Sequence, residues 1–237
     1  VANSYFQFKR FRIEQDQCAM KVCTDSCLFG AWVPVENAAS ILDIGTGTGL
    51  LALMAAQRSA ATIQAVEIDE PAAEQARGNF KNSSWSDRLQ LFKGSLQEYE
   101  QVNTTTYDVI ISNPPFYQSS LKSGNKARNQ AMHTIDLPFL DLLRFCKKNL
   151  NAQGAVYLLL PPYEAGLVID LANTFGLFLQ QEVKMYTKIN GKHIRSILQF
   201  RFQTPPEVKT TALFIRTETE AYTPEFKNLL QLYYLIF

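Results

Sequence analysis

The sequence predicts an α/β fold built on a doubly wound, mostly parallel sheet. Three observations carry that expectation. Short apolar runs alternate with helix-patterned segments from Ser40 to Gly176, as in successive strand–helix–strand units. The first run ends in a glycine-rich turn, Gly45-Thr46-Gly47-Thr48-Gly49, that leads into a helix. Beyond Leu177 the alternation stops, and two strand-like runs flank Asn190-Gly191, a dipeptide that favours a tight hairpin.

Taken in order, residues 1–12 alternate aromatic and polar side chains (Tyr5, Phe6, Phe8, Phe11), which predicts a short strand or hairpin arm. A helix is expected from Thr24 to Val33, started at Asp25 and stopped by Pro34. Ser40–Ile44 is a buried strand, and Leu50–Arg58 a helix with apolar residues at Leu51, Met54 and Ala55. A second strand covers Thr62–Ile68. Asp69 and Pro71 then form the cap and first turn of a helix through Phe80. Strands follow at Leu89–Phe92 and Tyr107–Ser112, then a helix from Asp136 to Leu150, a strand at Ala155–Leu160 and a helix at Glu164–Phe175. The hairpin strands are Phe178–Tyr186 and Ile194–Phe202. Residues 204–237 are expected to be a tail, with a strand near Ala212–Arg216 and an apolar helix from Pro224.

At 237 residues, a single domain of this type buries roughly 70% of its unfolded surface. The formal net charge is only +1, so a polyanionic partner would have to meet a local basic patch. No apolar run is long enough to span a membrane. Val1 to Arg12 has no apolar h-region, so no signal peptide is expected, and a start at Val1 fits a processed or trimmed chain. Cys18, Cys23, Cys27 and Cys146 lack zinc-site spacing, and only His133 and His193 could join them. Free thiols, no metal and a cytoplasmic location are expected.

Two segments carry chemistry. The glycine turn lets the backbone approach a ligand and adopt positive φ. By itself it also fits a nicotinamide-dependent oxidoreductase. Against that alternative, its Gly-x-Gly-x-Gly spacing differs from the dinucleotide fingerprint, and Asp43 stands immediately before it. Glu67 closes the next strand, where a carboxylate can accept both hydroxyls of a ribose, and Ile68 follows it. The second segment is Asn113-Pro114-Pro115-Phe116, directly after a buried strand. Two prolines fix an extended turn, from which the Asn113 side-chain oxygen and the Pro114 carbonyl can converge on one planar NH2 group. Holding both hydrogens aims the nitrogen lone pair for an in-line displacement. Phe116 offers a stacking face, worth roughly 1–3 kcal/mol per base.

These residues resemble the bacterial tRNA adenine-N6 methyltransferases that modify the adenosine beside the anticodon of a valine tRNA. The resemblance covers about residues 5–202. Phe6-x-Phe8-Lys9-x-Phe11 and Gln17-Cys18-Ala19-Met20-Lys21-Val22-x-Thr24-Asp25 support it. It implies a Rossmann-like, seven-stranded sheet with an antiparallel C-terminal hairpin, and S-adenosylmethionine as cofactor. Residues 1–38 would close over that cofactor, with Lys21, Val22 and Thr24 near its methionine end. Residues 39–203 would form the methyltransferase domain and 204–237 the tail. Asp43 would lie near the cofactor's amino group, with Gly45, Thr46, Gly47 and Gly49 against it. Ser95 stands where relatives often carry an acid for the adenine amino group. The Asn-Pro-Pro-Phe motif is shared with rRNA guanine-N2 methyltransferases, and Asn-Pro-Pro-Tyr occurs in glutamine-N5 methyltransferases, so it defines the chemistry better than the substrate. For tRNA, the expected phosphate contacts are Lys122, Lys126 and Arg128 after the proline turn, and Lys188, Lys192 and Arg195 in the hairpin. Lys9, Arg10 and Arg12 form a third acid-free stretch. His133 has no identified partner. A monomer is expected.

Overall fold

A computed structural model of the chain describes residues 3–18, 20–114 and 139–237. Strands β1 (Tyr5–Gln7) and β2 (Arg12–Glu14) pair as an antiparallel hairpin, the expected arm. Helix α1 (Thr24–Trp32) follows. Then come β3 (Ser40–Ile44), α2 (Leu50–Arg58), β4 (Thr62–Glu67), α3 (Glu70–Lys81), β5 (Leu89–Lys93), α4 (Leu96–Val102) and β6 (Tyr107–Ser112). The remaining elements are helix α5 (residues 139–149), β7 (Leu150–Leu160), α6 (Pro162–Thr174), β8 (Phe178–Lys188), β9 (His193–Arg201), β10 (Lys209–Arg216) and α7 (Pro224–Leu230).

The main sheet has the order β10-β8-β9-β7-β6-β3-β4-β5. It has eight strands, one more than expected. The added strand is β10, which pairs in parallel with β8 from Lys209 to Arg216 instead of lying in a detached tail. Only β9 runs against its neighbours. Strand faces follow the period of two: Val109, Ile111, Ala155, Tyr157 and Leu159 pack toward α1, α2 and α7, whereas Ile110, Val156, Leu158 and Leu160 pack toward α5 and α6. Helix α4 is absent from the sequence-based expectation, because only Tyr99 of its residues is buried and no apolar stripe forms. Its signal is local: Ser95 and Glu98 form a capping box.

The order of strands reverses between β3 and β6. A crevice opens outside the carboxyl ends of strands at such a reversal, and open α/β sheets bind their ligands there. The Ser112 hydroxyl donates to the Ile44 carbonyl at 2.8 Å, tying the two strand ends together. Gly45 and Asn113 therefore leave the sheet side by side.

Candidate functional site

The glycine turn is built around two carboxylates. Asp43 is fully buried at the end of β3. Its Oδ2 accepts from Thr46 Oγ1 at 2.6 Å and from Ala52 N at 3.2 Å. Its Oδ1 is buried without a hydrogen-bond partner among the described residues. Burial pushes the Asp43 carboxyl up to about 7, against the pull of the Thr46 and Ala52 hydrogen bonds. Glu67, at the end of β4, accepts from Gly47 N at 2.8 Å through Oε2 and from Asp69 N at 2.9 Å through Oε1. Each Glu67 oxygen keeps acceptor capacity for a ligand hydroxyl.

Two glycines have distinct reasons to be glycine. Gly49 has φ +84°, and a Cβ there would meet the Phe80 ring at 2.5 Å. Gly45 has φ +70° and open space where a Cβ would stand. The first is a packing requirement; the second leaves room over the turn. Ile68 is 71% exposed beside Glu67, an apolar surface next to the strand-end carboxylate. Asp69 caps α3 as expected, accepting from Ala72 N at 3.0 Å.

Ser95 sits beside this site, because Gly94 N donates to the Glu67 carbonyl at 2.8 Å. Its hydroxyl is engaged locally: it accepts from Glu98 N at 3.1 Å and donates to Glu98 Oε2 at 2.8 Å. Its first duty is to cap α4.

At the end of β6, Asn113 Nδ2 donates to Ser26 Oγ at 2.9 Å, while Asn113 Oδ1 is buried with no hydrogen-bond partner among the described residues. An orphaned acceptor of this kind costs about 1–3 kcal/mol and marks a place for a donor. Pro115, Phe116, Lys122, Lys126, Arg128, His133 and the expected helix start at Asp136 lie outside the described residues.

The N-terminal segment lies against the turn, where a Cβ on Gly47 would meet Cys18 Sγ at 3.7 Å. Gln15 Oε1 accepts from Val22 N at 2.8 Å, and Lys21 Nζ donates to the Asn3 carbonyl at 3.4 Å. Thr24 opens α1 and, with Lys188, Arg216, Glu220 and Tyr222, lines a cleft of about 420 Å³. Cys18 and Cys23 are half-buried, Cys27 and Cys146 are buried, and all four are free. Among the described residues there is no group of three or more His, Cys, Asp and Glu that could hold a metal, and no helix long and apolar enough to cross a membrane.

The basic stretches are acid-free in sequence but not in space. Arg195 pairs with Asp25 at 3.0 Å, Lys188 with Glu220 at 2.6 Å and Lys184 with Glu182 at 3.7 Å. Lys9 Nζ donates to the carbonyls of Gln231 and Phe237, Arg12 pairs with Glu14, and Arg10 stands over the Trp85 ring. The structure thus brings together Asp43, the glycine turn, Glu67 and Asn113. It gives Arg195 an internal partner next to that group. Sequence reasoning missed Ser26, Gln15 and Asn79, since nothing in their spacing connects them to the motifs.

Residues 18–135 match the model of the family described as Methyltransferase small domain. A tRNA1(Val) (adenine(37)-N6)-methyltransferase of Cytophaga hutchinsonii is 45% identical over 99% of both chains. One of Christiangramia forsetii is 41% identical, again over 99% of both. The chain belongs to this family. The resemblance drawn from the motifs is thereby borne out, and it extends beyond residues 5–202 to include the C-terminal strand and helix. A solved structure described as a predicted O-methyltransferase from Agrobacterium tumefaciens superposes with TM-score 0.68 at 16% identity, over 87% of this chain and 95% of that one. That likeness speaks for the fold alone. Within the family's fold, the glycine turn and Asn113 occupy the strand-order reversal described above.

Proposed function

We propose that the chain is a cytoplasmic, monomeric S-adenosylmethionine-dependent enzyme that methylates the exocyclic N6 of an adenosine in tRNA, in the anticodon loop of a valine tRNA. The observation that carries this reading is the buried Asn113 Oδ1 at the sheet's reversal point, without a partner among the described residues, with a second such acceptor, Asp43 Oδ1, on the neighbouring strand. Family membership supplies the substrate: the relatives at 41–45% identity are named for adenine-N6 methylation of tRNA1(Val).

The residues fit the cofactor. Asp43 Oδ1 is an acceptor for its amino group, the open space over Gly45 accommodates it, and the free lone pairs of Glu67 suit ribose hydroxyls. Thr46, Gly47 and Gly49 shape the turn, Lys21, Val22 and Thr24 form the strap over it, and Ile68 and Ser95 border the adenine side. When bound, the cofactor supplies an electrophilic methyl on a sulfonium, which leaves its bonding electron pair on sulfur. Asn113 Oδ1 and the Pro114 carbonyl accept the two N6 hydrogens and aim the nitrogen lone pair at that methyl. The C–N bond would form as the C–S bond breaks, and the surplus N6 proton would pass to solvent water, since Asn113 Oδ1 and the Pro114 carbonyl accept hydrogen bonds but are too weakly basic to keep it. The amine is a poor nucleophile because its lone pair is delocalised, so positioning and electrostatics outweigh a strong base. Pro115 stiffens the turn and Phe116 stacks on the adenine. Extruding a base costs a few kcal/mol, least in a loop, and one stacking ring offsets much of that cost only for a weakly stacked base. Lys122, Lys126, Arg128, Lys188, Lys192 and Arg195 border the tRNA backbone.

The test is transfer of a labelled methyl group to bulk tRNA followed by nucleoside analysis. N6-methyladenosine is the expected product. N2-methylguanosine would overturn the adenine assignment, and label in protein would move the chain to glutamine chemistry.

A further inference from the structure

An asparagine amide presents a donor on one side and an acceptor on the other, and the two are exchanged by a half-turn about χ2. Which side faces the reacting nitrogen decides whether the residue helps. An NH2 group aimed at another NH2 group would repel it. Something must therefore hold the Asn113 amide with its oxygen toward the crevice.

Ser26 is in position to do so. It lies in the first turn of α1, 5% exposed. Its Oγ accepts from Asn113 Nδ2 at 2.9 Å and stands 3.0 Å from Cys23 Sγ. Its backbone N donates to Asp25 Oδ1 at 3.0 Å, and Asp25 Oδ2 pairs with Arg195 at 3.0 Å. A continuous line of contacts thus runs from β9 through the start of α1 to the end of β6. It terminates on an amide whose oxygen is buried with no partner among the described residues. Serine is a poorer helix former than alanine, so its hydroxyl is set here by the contacts it makes with Asn113 and Cys23.

We infer that Ser26 is a positioning residue for methyl transfer, fixing the Asn113 amide so that Oδ1 faces the acceptor amino group. The inference rests on the reading of Asn113 given above. Ser26 touches neither reactant and acts only through Asn113, with Asp25 and Arg195 holding it in place.

The experiment compares the full chain with Ser26→Ala, Asn113→Ala and the double variant, using tRNA and S-adenosylmethionine, and measures kcat, KM and thermal midpoint. Ser26→Ala is expected to lower kcat on the order of tenfold, the effect of one lost hydrogen bond on a barrier. KM for both substrates should stay within about twofold, and the thermal midpoint should fall by no more than a few degrees, the cost of one unpaired half-buried amide. In the Asn113→Ala background, removing the hydroxyl should cost nothing more. Ser26→Cys, close in volume but a weak acceptor, should match Ser26→Ala, and it stands in if the alanine variant does not fold. Unchanged kcat in Ser26→Ala, or the same fold-loss with and without Asn113, would overturn the inference. Full turnover in Asn113→Ala would instead overturn the reading beneath it.

Discussion

Asn79 holds Glu14 by both main-chain groups: its Oδ1 accepts from Glu14 N at 2.9 Å and its Nδ2 donates to the Glu14 carbonyl at 3.0 Å. The same Nδ2 donates to the Thr48 carbonyl at 2.9 Å. One buried side chain on α3 therefore fastens the N-terminal arm to the glycine turn. Gln75, one turn earlier, repeats the device, accepting from Gln17 N and donating to Asp16 Oδ1. Asn79→Ala removes the partner of three backbone groups, of which the Thr48 carbonyl is at a buried bond and the two of Glu14 are half-buried. It should cost about 3 kcal/mol of stability and weaken cofactor binding roughly tenfold, since the arm loses the side chain that links it to the glycine turn. Chemical denaturation and calorimetry measure the two effects. A stable Asn79→Ala with parental affinity would show that the arm does not enclose the site.

Glu67 and Asn113 lie on neighbouring sides of the strand-order reversal, and they should separate in kinetics. Glu67 braces Gly47 N and Asp69 N, so Glu67→Ala should chiefly raise the cofactor dissociation constant. Asn113→Ala should reduce kcat by roughly a hundredfold with cofactor affinity nearly intact, as expected for a group acting only in the transition state. Asn113→Asp, which keeps an acceptor, should be less damaging. Titration of cofactor alongside single-turnover rates distinguishes the two roles, and a reversed pattern would exchange them.

Asp43 carries a pH signature. Its carboxyl is pushed up to about 7 by burial, from an ordinary 3.8. The folded chain thus holds this proton more tightly than the unfolded chain does. Its contribution to stability is fully present below about pH 4 and is lost as pH rises through about 7. A cationic ligand group at Oδ1 favours the ionised carboxylate, so cofactor affinity should climb as pH rises toward 7 and level off above it. Calorimetry near pH 6 in two buffers of different ionisation enthalpy should reveal proton release on binding. Asp43→Asn should abolish both dependences; retention of either would assign the proton elsewhere.

The strands were legible because their apolar runs are short and rich in β-branched residues: Ser40–Ile44 and Tyr107–Ser112 are found with the bounds expected. The glycine turn and Asn113 were legible because a motif needs only local spacing. Helix α4 was not, since one buried tyrosine makes no stripe and only the Ser95–Glu98 box announces it. Strand β10 was seen as a strand over its C-terminal part, Ala212–Arg216, but not as a member of the sheet, because pairing with β8 depends on a neighbour distant in sequence. The pairing of Arg195 with Asp25, and the contact of Ser26 with Asn113, were invisible for the same reason. A basic run in sequence says nothing about the acids that fold back onto it.

The C-terminal segment provides the last prediction, because its packing contradicts its tail-like sequence. Phe226 on α7 is fully buried, stacked on Tyr222 with centroids 4.6 Å apart and edge-on to Phe237 at 5.9 Å. Tyr233 is also fully buried, and its hydroxyl donates to the Met54 carbonyl of α2 at 3.0 Å. The chain end returns to the N-terminal arm as well, where Lys9 N donates to the Tyr233 carbonyl at 2.8 Å. Since α7 packs on α1, it backs the helix that carries Ser26. Truncating a buried phenylalanine to alanine costs about 3–5 kcal/mol, a large share of the 5–15 kcal/mol or so that holds a domain of this kind folded. Phe226→Ala should therefore lower the denaturant midpoint without changing the slope, and removal of residues beyond Gln203 should prevent folding. A loss under about 1 kcal/mol in Phe226→Ala would mean that α7 is an appendage, since surface substitutions stay within roughly ±0.5 kcal/mol.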